Sequence, residues 1–173
     1  MKIELDASHF VQLADYWQRA PDITRTVLMR AMTAIDVELQ STLRRDLPKG
    51  AGGAAGLQGS VSTEEHALQD NVIGMVYSSL PHAVYVELGT KPHPVSAEGV
   101  QAIADWVQAK FGESDEDAAL SIANAIAWKI RRKGTKANPV WRRTWDAKQS
   151  FIRSVIEAGM RRIAEELAQE GSA

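Results

Sequence analysis

The spacing of apolar residues predicts amphipathic helices along most of the chain. Over 22–47, apolar side chains recur every three or four positions, the repeat that gives a helix one buried face. A shorter helix is predicted over 6–19, and Pro21, which lacks a backbone N–H, separates the two. The same repeat predicts three further helices, over 98–111, 114–133 and 140–169.

Single residues in these helices carry further predictions. Gly112 is expected to end the first helix and Ser114 to cap the second. Ile122 is expected on the buried face of the second helix, and Trp145 on the buried face of the third.

Two short segments between these helices have the period-two pattern of β-strands. Residues 57–62 and 71–78 flank the polar residues 64–66, which predicts an antiparallel pair. Apolar side chains occur on both faces of the second segment, so we expect both of its faces to be covered. With a brief additional strand at 3–5, the pattern predicts an α+β fold in a single domain, with long helices packed on a small antiparallel β-sheet.

Glycine and proline mark three breaks in this pattern. Residues 49–56 are one lysine followed by glycines and alanines, which predicts a flexible loop. Two prolines follow Gly-Thr-Lys within 89–94, so we expect a strand ending at 85–90 to lead into a stiff, exposed turn. A second Gly-Thr-Lys opens the third break at 134–139, but a match this short is not evidence of an internal repeat.

Composition narrows the classes of protein to which the chain can belong. Its 173 residues predict one domain over 1–173. Lys and Arg number 20 against 22 Asp and Glu, and the formal net charge of −2 excludes a uniformly basic nucleic-acid coat. The absence of cysteine excludes disulfides, thiolate metal sites and cysteine nucleophiles. No apolar run approaches the ~20 residues of a membrane span, and the acidic N-terminus does not resemble a signal peptide, so we expect folding in the cytosol.

The common catalytic signatures do not occur in the sequence. It has no Gly-x-Ser-x-Gly element, no phosphate-binding loop and no dinucleotide-binding fingerprint. A metal-dependent hydrolase using His82, Glu87 and His93 is conceivable, but their spacing differs from that of the zinc-binding His-Glu-x-x-His motif. We therefore predict no enzymatic activity, no metal and no cofactor.

The strongest asymmetry in charge is a basic segment towards the C-terminus. No acidic residue occurs from Ala118 to Trp145. The segment holds a candidate basic patch of five residues, followed by two arginines: Lys129, Arg131, Arg132, Lys133 and Lys136, then Arg142 and Arg143. Tryptophans at 128, 141 and 145 can either stack on bases or pack in the interior. The segment is thus either a nucleic-acid-binding module over 129–143 or a face complementary to an acidic neighbouring subunit, and we favour the second.

Three motifs, in order along the chain, resemble a known family of phage proteins. They are Leu-x-Gly-Ser at 57–60, Pro-His-Ala-Val-Tyr-Val-Glu-Leu-Gly-Thr-Lys-Pro-His at 81–93, and Asn-Pro-Val-Trp-Arg-Arg-Thr-Trp at 138–145. The set resembles the gene-product-ten-like tail-completion (neck) proteins of long-tailed bacteriophages and prophages. Val140 and Trp141 stand where that family usually has Phe, and the helices between 98 and 132 make this a longer subtype.

The resemblance implies a structural protein of the virion without a catalytic site. Its expected place is the head–tail junction (neck) or upper tail, where it would act in tail completion and head–tail joining after assembly in the host bacterial cytoplasm. The implied partners are further copies in a homo-oligomeric ring and neighbouring head-closure, tail-terminator or tail-tube proteins. Non-specific contact with DNA in the channel is left open, and no membrane contact is expected.

A stiff turn costs little to order on binding, so the segment around 85–92 is a candidate subunit interface. The interface residues are Tyr85, Glu87, Gly89, Thr90, Lys91, Pro92, Arg142 and Arg143. Glu87 has two alternative partners. It pairs either within its own chain or with Arg142 or Arg143 of a neighbour in a head-to-tail ring.

Overall fold

The computed structural model describes residues 8–50, 56–67 and 72–170, with the backbone alone at 8–19 and at 170. Five helices and one two-stranded antiparallel sheet occur in these ranges, and the predicted α+β class is confirmed. In chain order the elements are α1 (Ser8–Asp46), β1 (Val61–Ala67), β2 (Val72–Ser78), α2 (Ala83–Leu88), α3 (Ala97–Phe111), α4 (Glu116–Lys133) and α5 (Val140–Glu170).

The chain divides into two compact units, each assembled from separate segments. The first combines residues up to 39 with 63–76 and the chain from 147 onward, and the second combines 40–62 with 77–146. One domain over 1–173 stays a prediction. None of the helices that the structure describes is long and apolar enough to cross a membrane.

Helix α1 is continuous where the sequence predicts two helices. Pro21 lies inside it and does not separate 6–19 from 22–47. A proline removes one backbone hydrogen bond and crowds the preceding turn, which costs about 3 kcal/mol, but the bonds on either side can still form. The strand predicted at 3–5 lies outside the described residues.

The first unit is held together by α1, the sheet and α5. Val27, Ile35 and Leu39 of α1 are buried, as is Ile163 of α5. Gly159 of α5 faces α1, where a Cβ would lie 3.8 Å from Val27 Cγ1. Lys148 of α5 also forms an ion pair with Glu38 of α1.

The sheet is shifted relative to its prediction and is covered on one face. Strand β1 contains residues 64–66, which the sequence places between the strands, and its predicted start at 57 lies in a turn. In β2, exposed and half-buried side chains alternate, and Ile73, Met75 and Tyr77 are exposed. The expectation that both faces of β2 are covered is therefore wrong, because the face that these three residues share is about 40% exposed.

The segment around the predicted loop at 49–56 is only partly described. Residues 48–50 have no regular structure, and 51–55 lie outside the described residues. After them, Leu57 and Val61 are buried. Gln40 Nε2 and Arg44 Nη2 of α1 both donate to the backbone oxygen of Val61, at 3.0 and 2.7 Å. These two bonds fix the start of β1 against the end of α1.

Helices α3 and α4 form a hairpin in the second unit. Ala104 and Val107 pack with Ala119 and Ala123 in a small buried cluster. Gly112 ends α3 in the left-handed conformation, as predicted. Helix α4 is capped by Asp115 in place of the predicted Ser114, because the Asp115 carboxylate accepts the backbone N–H groups of residues 117 and 118. Ile122, predicted on the buried face, is exposed.

A buried carboxylate lies between α1 and the sheet. Asp36 is 2% exposed, and its Oδ2 atom has no hydrogen-bond partner among the described residues. A Cβ at Gly74 of β2 would clash with this oxygen and with the side chain of Met32, so the missing side chain lets the strand approach α1 here. Burial, with a smaller contribution from the charge of Glu65, raises the pKa of Asp36 to about 6.

We expect Asp36 to make the protein less stable as the pH rises. The unfolded carboxyl ionises near pH 3.8, whereas the folded one keeps its proton to about pH 6. Stability therefore falls across this window, by roughly 2–3 kcal/mol, and stays at the lower level above it. In Asp36→Asn this fall is lost, and urea unfolding at about pH 7.5 shows a more stable protein. Asp22→Asn, an exposed change on the same helix, is the control. If stability depends on pH in Asp36→Asn as it does in the wild type, the assignment of this pH dependence to Asp36 is refuted.

Candidate interaction site

The segment predicted to end a strand forms a short helix instead. Residues Ala83–Leu88 make α2, and Tyr85 to Thr90 is not a strand end. Val84, Tyr85 and Leu88 lie on one side of this helix, and the last two are 61% and 71% exposed. The alternation of Tyr85, Val86 and Glu87 suggests a strand, but the positions 84, 85 and 88 fit a helical face. We call Val84, Tyr85 and Leu88 the α2 face.

The two Gly-Thr segments pair with each other directly after α2 and α4. The backbone N–H of Thr90 donates to the oxygen of Thr135 at 3.1 Å, and the reverse bond measures 3.2 Å. The two threonine hydroxyls lie 3.0 Å apart. We call this arrangement, formed by Gly89, Thr90, Gly134 and Thr135, the Gly-Thr clasp. The Gly-Thr that occurs twice in the sequence thus corresponds to two segments that pair in the structure. This repeated dipeptide is the signal that could have predicted the contact.

Both glycines of the Gly-Thr clasp are required by its geometry. Each has φ of 70° with a nearly extended ψ, a backbone conformation that other residues essentially do not adopt. A Cβ at Gly89 would lie 2.7 Å from the backbone nitrogen of Ala137, and one at Gly134 would lie 2.8 Å from the carbonyl carbon of Lys91. The backbones therefore approach too closely for any side chain.

Glu87 binds the first turn of α5 within its own chain. Its carboxylate accepts the backbone N–H groups of Trp141 at 3.0 Å and Arg142 at 2.9 Å. The first N–H groups of a helix have no partner inside the helix, and the helix dipole favours a negative charge at this end. The neighbouring oxygen of Val86 also accepts the N–H of Asn138, at 2.9 Å. Of the two alternatives for Glu87, the structure has the intrachain one, with backbone amides as the donors.

The arginines of the predicted interface also have partners in their own chain. Arg142 Nε lies 3.3 Å from Asp146 Oδ2, one helical turn away, and Arg143 Nη2 donates to Asn138 Oδ1 at 2.9 Å. Lys91 and Pro92 are exposed after the Gly-Thr clasp. The structure therefore brings Glu87, Gly89, Thr90 and the backbone of Arg142 into one joint and leaves Tyr85 exposed beside it.

The histidines considered for a metal site do not surround Glu87. His82 precedes α2, and Nδ1 of His93 lies 2.9 Å from the backbone oxygen of Lys91. Across the described ranges, no group of three or more His, Cys, Asp or Glu residues is placed to hold a metal ion. The Glu87 carboxylate is occupied by two backbone N–H groups.

The candidate basic patch lies at the end of α4 and in the linker after it. Its five members, Lys129, Arg131, Arg132, Lys133 and Lys136, are all exposed. The guanidinium of Arg132 lies over the ring of Trp128, 4.6 Å from its centroid. Trp128 and Trp145 are exposed and Trp141 is half-buried, so the expectation that Trp145 lies on the buried face of the last helix is wrong.

Comparison with known proteins gave no family model, no curated protein and no solved structure that matches this chain.

Glu87→Ala should destabilise the protein by about 1–3 kcal/mol, because two N–H groups at the start of α5 lose a charged acceptor. Glu87→Gln keeps one acceptor oxygen and should cost less. Urea unfolding gives both values, and Asp146→Ala, which removes only the exposed pair with Arg142, should change stability by less than about 1 kcal/mol. Equal losses of stability in Glu87→Ala and Asp146→Ala would contradict the role of Glu87 as a cap for the start of α5.

Gly134→Ala should cost several times as much as Gly112→Ala. Both glycines have positive φ, but a Cβ at Gly112 has no atom within 4 Å, whereas one at Gly134 meets the backbone of Thr90 and Lys91. Gly112→Ala therefore carries only the conformational cost of about 1 kcal/mol. Thermal unfolding of the two variants compares them directly, and similar losses would show that the Gly-Thr clasp is not closed in solution.

Proposed function

We propose that this chain is a structural protein of a tailed phage or prophage virion and has no enzymatic activity. It acts at the head–tail junction (neck) or upper tail, in tail completion and head–tail joining, after assembly in the host bacterial cytoplasm. The ordered motifs at 57–60, 81–93 and 138–145 support the proposal, because they resemble the gene-product-ten-like tail-completion proteins. The geometry adds that the last two of these motifs meet in one joint through Glu87.

The observation that carries the proposal is an exposed apolar face on a rigid support. The α2 face displays three apolar side chains to solvent, including Tyr85, a residue type enriched in protein interfaces. Its helix is fixed at one end by Glu87 and the Gly-Thr clasp. Since little conformational freedom remains to be lost on docking, such a face suits a permanent assembly contact.

The partners proposed for this face are other components of the virion. A second copy in a homo-oligomeric ring would use a head-to-tail contact, in which the α2 face meets a different surface of its neighbour. A head-closure, tail-terminator or tail-tube protein could occupy the same face on the open side of such a ring. Because Glu87 is engaged in its own chain, the proposed contact depends on apolar burial and not on a Glu87–arginine pair between subunits.

A virion-joining assay tests this proposal. In a lysogen or phage stock lacking the gene, electron microscopy should show separate heads and tails, and the wild-type gene supplied in trans should restore joined particles. Tyr85→Ala combined with Leu88→Ala should reduce joined particles at least about tenfold, because an apolar hot spot of this size contributes more than about 1.4 kcal/mol.

Met160→Ala is the matched control, since it removes an equally exposed apolar side chain from α5. It should leave joining unchanged. Joined, infectious particles in the strain lacking the gene would refute the proposed function, and full joining by the Tyr85/Leu88 double variant would refute the role of the α2 face.

A further inference from the structure

An exposed indole is surrounded by cations near the end of α4. Trp128 is 60% exposed, and the Arg132 guanidinium covers part of its ring at 4.6 Å from the centroid. Lys129 and Lys133 line the same open depression, together with the small side chain of Ala125. We call these five residues the Trp128 surface. It combines a flat aromatic group with three positive charges.

The three cations of this surface have no acidic partner in the described part of the chain. In the ranges that the structure describes, no carboxylate lies within ion-pair distance of Lys129, Arg132 or Lys133. The sequence also holds no acid from 118 to 145. Like charges on adjacent turns repel one another, so an anion bound here would relieve that repulsion.

The helix dipole explains only part of this arrangement. Cations in the last turn of a helix are favoured by its negative end, which accounts for Arg131, Arg132 and Lys133. The dipole gives no reason for a large indole to remain in water beside them. An exposed aromatic ring among unpaired cations is the combination that single-stranded nucleic acids need, since the ring stacks on a base while the cations contact phosphates.

We infer that the Trp128 surface binds single-stranded nucleic acid. An unpaired base stacks on the indole of Trp128, and Arg132, Lys129 and Lys133 contact the phosphates on either side. In a duplex the faces of the bases are already stacked on each other, so the indole offers an advantage only to an unpaired strand. The inference goes beyond the proposed virion function and does not depend on it, because it uses α4 and not the α2 face.

Fluorescence anisotropy with the full-length chain and a labelled oligothymidine of about 20 nucleotides tests the inference. At about 50 mM salt, the wild type should bind, and its affinity should fall as salt is raised towards about 200 mM. Trp128→Ala should weaken binding at least about fivefold, the effect of removing one base stack. The double variant Lys129→Ala/Lys133→Ala should bind more weakly than the wild type. The slope of log affinity against log salt concentration should become shallower by about 0.7 for each phosphate that is no longer neutralised.

Two matched variants control for exposed aromatic area and for net charge. Trp145→Ala removes another exposed tryptophan, and Arg153→Ala/Arg161→Ala removes two exposed cations from α5. Neither should change the affinity more than about twofold, which is well below the effect of removing a stack. Circular dichroism establishes that each variant is folded before binding is compared.

Three results would overturn the inference. The first is no binding of the oligothymidine at the lowest salt. The second is a loss of affinity in Trp145→Ala as large as in Trp128→Ala. The third is equally tight binding of polyglutamate that is unaffected by Trp128→Ala, which would identify the cations as a docking face for an acidic protein. A duplex of the same length should bind more weakly than the single strand, and the opposite order would also contradict stacking on Trp128.

Discussion

The contact between the Glu87 carboxylate and the first turn of α5 is the constraint on which the candidate site depends. It joins residues 54 and 55 positions apart, and it satisfies N–H groups that α5 itself cannot satisfy. The Gly-Thr clasp lies directly beside it and joins the segments after α2 and α4. The Glu87 contact needs the start of α5 in place, and the Gly-Thr clasp needs the 134–139 linker in place. We therefore expect α2, the linker and the start of α5 to fold together. A helix of only six residues would otherwise be unstable.

This joint relates the motifs of the sequence to the proposed role. Several residues of the motifs that resemble the tail-completion family connect segments that are distant along the chain. The Glu87 carboxylate accepts backbone N–H groups of α5, Thr90 pairs with Thr135, and the N–H of Asn138 donates to the oxygen of Val86. The neighbouring Val84, Tyr85 and Leu88 are left in solvent. A rigid scaffold that presents apolar side chains is the physical requirement of an assembly contact. The Trp128 surface differs from it in chemistry, because its exposed aromatic group is surrounded by charge.

Local signals in the sequence predict much of the fold, and contacts distant in sequence account for most of the errors. The bounds of α3 and α5 follow from apolar spacing and from Gly112 and Pro139, and both helices are confirmed. The strand end predicted at 85–90 is instead the end of α2 followed by half of the Gly-Thr clasp. Glu87 and Thr90 bind residues 45 to 55 positions away, which a local pattern does not encode. The one-sided burial of β2 likewise depends on what packs against the strand, which its own alternation does not encode.

The candidate site was predictable in part. Several of its residues lie within the motif at 81–93, and the repeated Gly-Thr is visible in the sequence. The pairing of the two Gly-Thr segments, in contrast, is a property of the folded chain. The basic patch is also visible, whereas the exposure of Trp128 is not, because the residue type alone fits both stacking on bases and packing in the interior. Burial decides between the interior and the surface for such residues, and it requires the structure.

Site-specific photocrosslinking in purified tailed particles tests the central claim most directly. A benzophenone amino acid replaces Tyr85 in the α2 face, with the same replacement at Met160 as the reference, and mass spectrometry identifies the crosslinked peptides. The account predicts crosslinks from position 85 to a second copy of this chain or to a neighbouring neck or tail protein, at a yield well above that from position 160. Absence of the chain from the particles, or crosslinks from position 85 only to its own chain, would contradict the account.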